Sequence, residues 1–280
     1  MKTLLPLGAF FLFLAACSAN SEGTASETEE PEQIEEQTDN QSEEENELSD
    51  VDENKEKAAE EENDEDKEET YSPKYEIRKS DWSLQHVEES NERNVLITID
   101  DAPDSHSLEM AEFLAEEKVP AIFFVNGHFI NDEKGQENLK AIYDLGFEIG
   151  NHTMNHVSLN EISKEETMQE IVDLNDLIEE ITGERPVFFR APFGINTDNS
   201  KAILKEEDMT WMNWTYGYDW EEEYMESDAL AEIMVNTELL TNGANLLMHD
   251  REWTKEALPK MIEHFREEGY GFIHPDEIVR

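Results

Sequence analysis

Val95-Leu96-Ile97-Thr98-Ile99-Asp100-Asp101-Ala102-Pro103 is an apolar, β-branched run that ends on two carboxylates and a proline. A short continuous apolar run bounded by a breaker reads as a strand buried on both faces. Six runs of the same kind follow, at Ala121–Val125, Phe147–Gly150, Val187–Arg190, Thr210–Trp214, Asn245–Met248 and Tyr270–His274. Helical patterns lie between them, about Leu108–Lys118, Glu137–Leu145, Lys164–Thr182, Ser200–Glu206, Ala229–Thr241 and Lys255–Glu268. The clearest puts Met168, Ile171, Leu174, Ile178 and Ile181 on one face, with Ser163 and Glu166 as a capping box and Gly183 as its stop. Gly146, Gly243 and Gly269 stand where other helices should end, and Pro259 asks the last helix to start late. Strands alternating with helices predict an α/β fold with a mostly parallel sheet covered by helices. Periodicity does not decide whether that sheet closes into a barrel.

Polar residues collect where these strands end. Asp100 and Asp101 close the first run, and His152-Thr153-Met154-Asn155-His156 follows the third. Arg190-Ala191-Pro192-Phe193-Gly194 closes the fourth, Asp219-Trp220 lies beyond the fifth, and Leu247-Met248-His249 ends the sixth. Parallel α/β folds build their sites at this end of the strands, where the loops converge. Two imidazoles four apart and a carboxylate from another strand make three donors with a position open for water, the pattern of a catalytic zinc site. Neither a His pair nor adjacent aspartates alone carries that meaning. Neighbouring side chains on a strand point to opposite faces, so one aspartate can bind metal while the other faces the water. His106, His128 and His274 lack such a setting and read as structural.

Charge is unevenly spread along the 280 residues, whose formal net charge is −49. Ser18 to Thr70 holds 24 acids, 3 bases and no Phe, Trp, Tyr or Met. Such a segment cannot bury enough apolar surface to offset its ordering entropy, so residues 18–70 read as a disordered acidic tether. The remaining residues carry nearly all the aromatics and can form one core. Excess acid excludes nucleic acid as a partner, because that role needs clustered Lys and Arg. A single cysteine excludes an internal disulfide framework. Lys2 and the apolar run Leu4–Leu14 read as a signal peptide too short to span a bilayer. Leu14-Ala15-Ala16-Cys17 resembles a bacterial lipobox, which implies acylation of Cys17 and attachment to the outer face of the cell membrane. The alternative is an ordinary secretory signal cut near Ala16. The expected organisation is a leader over 1–17, the tether over 18–70, an N-terminal extension over 71–93 and a catalytic domain over 94–280.

Taken in order over about Asn94 to Glu277, the five strand-end motifs resemble the polysaccharide deacetylases with a NodB-homology domain, carbohydrate esterase family 4. That resemblance implies a distorted (β/α) barrel of seven parallel strands. It implies Asp100 as catalytic base, Asp101, His152 and His156 as metal ligands, Arg190 as the partner that orients the base, and His249 as the acid steadied by Asp219. The Phe193 N–H would face the oxyanion, and Trp220 and Leu247 would wall the acetyl pocket. Zn²⁺ is the implied metal, with Co²⁺ or Ni²⁺ as alternatives. The family's usual glycine after the two aspartates is here Ala102, which would be strained at positive φ. Place then suggests substrate: an enzyme held by lipid outside the membrane meets peptidoglycan first, so its N-acetylglucosamine units are expected, with N-acetylmuramic units and poly-N-acetylglucosamine behind. The competing expectations are an O-acetyl esterase on xylan or a similar polymer, and a non-catalytic carbohydrate-binding lipoprotein of the same fold.

Overall fold

In the computed structural model residues 71–280 are described, so the leader, Cys17 and the acidic tether lie outside the described residues. The chain enters through an antiparallel hairpin, β1 (Tyr75–Ile77) and β2 (Leu84–His86). Seven parallel strands follow: β3 (Asn94–Ala102), β4 (Ala121–Val125), β5 (Glu148–Asn151), β6 (Phe188–Phe189), β7 (Thr210–Trp211), β8 (Asn245–His249) and β9 (Gly271–Phe272). All seven expected strands form. Their order is β7-β6-β5-β4-β3-β8, and β9 joins the first residues of β3. Thr215 N–H donates to Asn245 O and Leu247 N–H to Tyr216 O, both at 2.8 Å, which draws the segment after β7 onto β8. The sheet therefore curls into the distorted (β/α) barrel that the motifs imply.

Helices cover the outside: α1 (Ser107–Glu116), α2 (Glu133–Asp144), α3 (Lys164–Met168), α4 (Leu174–Thr182), α5 (Asp198–Glu206), α6 (Ser227–Asn236) and α7 (Glu252–Glu267). The central strands have no solvent-facing side: every residue of β4 is buried, as are Val95 to Ile99 of β3. Burying each such Ile, Val or Phe contributes about 1.5–3 kcal/mol, which explains why these strands read as continuous apolar runs.

Four details depart from the sequence reading. The helix expected over Lys164–Thr182 keeps its ends and its Ser163–Glu166 capping box, but a π turn at Gln169–Asp173 separates α3 from α4. The sixth helix stops at Asn236 because Thr237 is extended and its hydroxyl accepts from Leu239 N–H, a local bond that competes with the helix. The last helix starts at Glu252 and runs through Pro259. Proline there removes one hydrogen bond to Lys255, and the buried Ala257, Leu258, Met261, Ile262 and Phe265 hold the helix regardless. Gly243 ends no helix. With φ +78° it bridges β2 and β3, donating to Asn94 O and accepting from Leu84 N–H, both at 2.7 Å.

Gly243 and Gly146 separate two costs of a side chain. Both have positive φ, but a Cβ at Gly243 would collide with the Leu84 carbonyl, whereas one at Gly146 meets open space. Gly146→Ala should cost about 1–2 kcal/mol in thermal unfolding, the ordinary cost of a left-handed L-residue. Gly243→Ala should cost clearly more, and equal losses would remove the packing role assigned to Gly243.

Candidate active site

β3 ends in a bulge. Ile99 pairs with Phe123, yet Ala102 pairs with Val125, so β3 carries one residue more than β4 between the two contacts. Asp101 absorbs the excess at φ 61°. A bulge re-aims side chains next to a site, and here it turns both aspartates into one cavity instead of to opposite faces. Ala102 is then back in the strand and fully buried, outside the residues with positive φ. The strain expected at Ala102 is absent because Asp101 takes the unusual conformation.

Asp101 faces the two histidines that follow β5. Its Oδ1 lies 4.0 Å from His152 Nε2 and 3.6 Å from His156 Nε2, and one donor atom from each of the three residues falls within 4.8 Å of the others. His152 Nδ1 lies 2.7 Å from the Arg190 carbonyl, which can only accept. Nδ1–H therefore donates to that carbonyl, which leaves Nε2 directed at the aspartates, the orientation a metal ligand needs. Burial, then the neighbouring His152, lowers the His156 pKa and favours its neutral form. Burial pushes the Asp101 carboxyl up, but His152, His249, His156 and Arg251 together hold it below its ordinary value. One carboxylate and two neutral imidazoles suit a divalent transition ion. No second cluster of three such donors occurs among the described residues.

Asp100 is served from the other side. Arg190, fully buried at the end of β6, donates from Nη1 to Asp100 Oδ1 and to Thr98 Oγ1, each at 2.7 Å. Its Nη2 reaches Asn213 O at 3.0 Å and Asn245 Oδ1 at 3.2 Å. Asp100 Oδ2 is left toward the cavity, 3.5 Å from His152 Nε2.

Across the cavity, His249 at the end of β8 puts Nδ1 2.8 Å from Asp219 Oδ1. Asp219 is itself buried and fixed, its Oδ2 accepting from His249 N–H at 2.6 Å and Thr254 Oγ1 at 2.8 Å. Burial pulls the His249 pKa down, but the hydrogen bond and charge of Asp219, helped by Asp100 and Asp101, outweigh it and raise the pKa above the ordinary value. The imidazolium is thus favoured with Nε2–H turned to the cavity.

These groups share a cavity of about 370 Å³ walled by Ala191, Phe193, Trp214, Trp220 and Leu247. Trp220 meets His249 edge to face at 5.4 Å, and Leu247 is nearly fully buried beneath it. Phe193 is 63% exposed at φ 57° within the tight turn Pro192–Gly194, where Pro192 has no N–H, Gly194 N–H donates to Ala191 O, and the Phe193 N–H bonds to no carbonyl of the turn. Every residue singled out from the motifs lines this cavity or, as with Arg190, supports it. Two wall residues were not foreseen. Trp214 falls beyond β7, which is shorter than its apolar run suggested. Arg251 donates to Asp101 Oδ2 at 3.0 Å, leaving Oδ1 for the histidines. Its position two residues after His249 at a strand's C-terminal end was the available signal.

Similarity to known proteins agrees with this geometry. A polysaccharide deacetylase family model matches residues 87–212. The chain belongs to that family, carbohydrate esterase family 4, and is a deacetylase hydrolase. A peptidoglycan-N-acetylglucosamine deacetylase of Bacillus cereus is 30% identical over 199 residues, which cover 68% of this chain and 90% of the relative. A peptidoglycan-N-acetylmuramic acid deacetylase of Bacillus subtilis is 27% identical over 65% of this chain and 38% of its own length. Among solved structures, a family 4 pseudoenzyme from Bacillus anthracis superposes with a TM-score of 0.60 at 29% identity, covering 69% of this chain and 68% of that one.

Asp219→Asn should lower the His249 pKa, read from the imidazole NMR signals as pH is raised. A group whose folded pKa is raised stabilises the fold fully below its unfolded pKa and loses that contribution as pH rises through the folded one. The variant's stability should therefore fall less across that interval than the wild type's. An unchanged His249 titration would refute the coupling.

Proposed function

We propose that this protein is a metal-dependent N-deacetylase acting on N-acetylglucosamine units of peptidoglycan. One observation carries the reading: the donor trio, the Arg190-held carboxylate of Asp100 and the Asp219-held imidazole of His249 converge on a single cavity with apolar walls. The family contains a pseudoenzyme, so the fold alone does not imply turnover. Here a base, an acid and a complete ligand set all occur together, which supports an active enzyme over a binding protein.

Asp101, His152 and His156 would hold the ion, for which Zn²⁺ is the favoured candidate and Co²⁺ or Ni²⁺ the alternatives. When bound, it supplies Lewis acidity to the acetyl carbonyl and acidifies water. Asp100, its Oδ1 held by Arg190, takes the proton of the attacking water on its free Oδ2. The Phe193 N–H donates to the oxygen on which negative charge develops. His249, held protonated by Asp219, gives its Nε2 proton to the departing nitrogen, and Asp219 steadies the change in charge. Trp220 and Leu247 enclose the methyl group. Peptidoglycan is supported by the named substrates of the two bacterial relatives and by the lipobox-like Leu14–Cys17, which would place the enzyme outside the cell membrane through lipid on Cys17. Poly-N-acetylglucosamine is the second glycan of matching chemistry.

Acetate release from purified peptidoglycan and from acetylated chito-oligomers, with and without chelator, tests the activity. Loss on chelation and recovery with Zn²⁺ are expected, and acetate release from acetylated xylan alone would replace this reading by the O-esterase one. Asp100→Asn should cut turnover by about 10²–10⁴-fold while metal stays bound. His249→Ala should cripple amide hydrolysis but spare an activated aryl acetate, whose leaving group needs little protonation. Equal losses on both would show that His249 does not act as the acid.

Replacing Cys17 by Ser tests the anchor. The variant should lose lipid labelling and leave the membrane fraction or stay unprocessed. Unchanged labelling and fractionation would exclude Cys17 as the attachment point.

A further inference from the structure

Glu170 is a buried charge that the proposed chemistry does not use. It is 8% exposed within the π turn Gln169–Asp173, and no Lys or Arg among the described residues pairs with it. A carboxylate without a cation is costly to bury unless hydrogen bonds satisfy it. Both its oxygens are taken by one residue of the histidine loop. Glu170 Oε2 accepts from Asn155 N–H and Oε1 from Asn155 Nδ2, each at 2.8 Å. The backbone of the π turn reaches the same loop, with Glu170 O accepting from Met154 N–H at 2.9 Å and Ile171 O from Asn151 Nδ2 at 2.8 Å. A π turn shifts the helical hydrogen bonds by one residue, which accounts for carbonyls turned to an outside partner. Four hydrogen bonds thus tie the turn to Asn151, Met154 and Asn155, the residues flanking and separating His152 and His156. The loop needs such support, since Thr153 and His156 stand at φ 70° and 54°.

We infer that Glu170 is a positioning residue for the metal ligands: by fixing Asn155 it sets the turn that brings His156 Nε2 to Asp101 and His152. This rests on reading those three side chains as a metal site. A residue that only supports the fold would change stability without changing affinity for the ion. Partners of this kind, one step behind the ligands, typically contribute about 10–100-fold in metal affinity.

The full chain, stripped of metal, should be titrated with Zn²⁺ against a competing chelator, with the thermal unfolding of the metal-free protein measured alongside. Glu170→Met fills the same volume and removes both acceptors, and it should weaken Zn²⁺ by about 10–100-fold at unchanged stoichiometry. Glu170→Gln can keep both hydrogen bonds once the Asn155 amide turns over, and it should recover most of that affinity. Asn155→Ala lies at an exposed position, threatens the fold least, and should weaken binding by a smaller factor. The Co²⁺-loaded forms should show altered visible bands in Glu170→Met and near-normal ones in Glu170→Gln. Wild-type affinity in both Glu170→Met and Asn155→Ala would overturn the inference, as would equal losses in Glu170→Met and Glu170→Gln. If the wild type itself binds no ion, or His152→Ala binds as well as wild type, the metal site is what fails.

Discussion

The ion pair between Arg190 and Asp100 is the constraint around which the rest is arranged. Arg190 joins β3 through Asp100 and Thr98, β8 through Asn245, the strand-end segment at Asn213, and the histidine loop through its own carbonyl. One residue thus reports to almost every element that contributes to the site. Both partners are almost wholly out of water, at 0% and 2% exposure. Such a pair is a poor source of net stability, because desolvation consumes most of its attraction, but removing one member leaves a buried charge alone at about 3–5 kcal/mol. It acts as a lock. The guanidinium also lies 4.3 Å above the Phe124 ring, which gives its flat face a partner that water no longer supplies.

Behind that lock, each reactive group is held by a partner on a different element. Asp250, next to His249, shows how two loops become one unit. Its buried carboxylate accepts from the N–H groups of Ser105, His106 and Ser107 and from the Ser107 hydroxyl, at 2.6–3.0 Å, and so caps the start of α1. Its own N–H donates to Asp100 O at 3.1 Å. The end of β8 and the residues after it, bearing His249 and Arg251, therefore cannot shift without moving the end of β3, bearing Asp100 and Asp101. Base, acid and one ligand keep their spacing because the connections between their loops are short and saturated.

Much of this was legible in the residues. The strands could be read because burial on both faces makes them continuous apolar runs, and the site could be read because parallel strands deliver their last residues to one face. What escaped has a common cause. The bulge at Asp100–Asp101, the π turn beneath the histidine loop and the closing contact of Thr215 and Tyr216 with β8 are set by long-range hydrogen bonds, which leave no period in the sequence. Ala102 illustrates the limit: strand alternation cannot tell which residue of Asp100-Asp101-Ala102 takes positive φ, and Asp101 takes it. Arg251 was hidden differently. A lone arginine beyond a motif looks like any surface cation until its Asp101 partner is placed beside it.

The distribution of backbone strain ties these points together. Seven non-glycine residues have positive φ among the described ones, and Asp101, Thr153, His156 and Phe193 are four of them. Each costs of order 1–2 kcal/mol relative to ordinary backbone, so the site holds a sizeable fraction of the 5–15 kcal/mol by which domains are stable. Strain of that kind persists only where the surroundings over-determine it. Here they do so through polar side chains: buried Asn151 Oδ1 accepts from Thr153 N–H, buried Asn126 Nδ2 donates to the His152 and Thr153 carbonyls, and half-buried Arg251 holds the side chain of Asp101. An acidic chain therefore keeps acids, amides and one arginine in its interior for a mechanical reason. They hold fixed a backbone that the apolar core alone would let relax, and the ligands and proton-transfer groups stay in place before any substrate arrives.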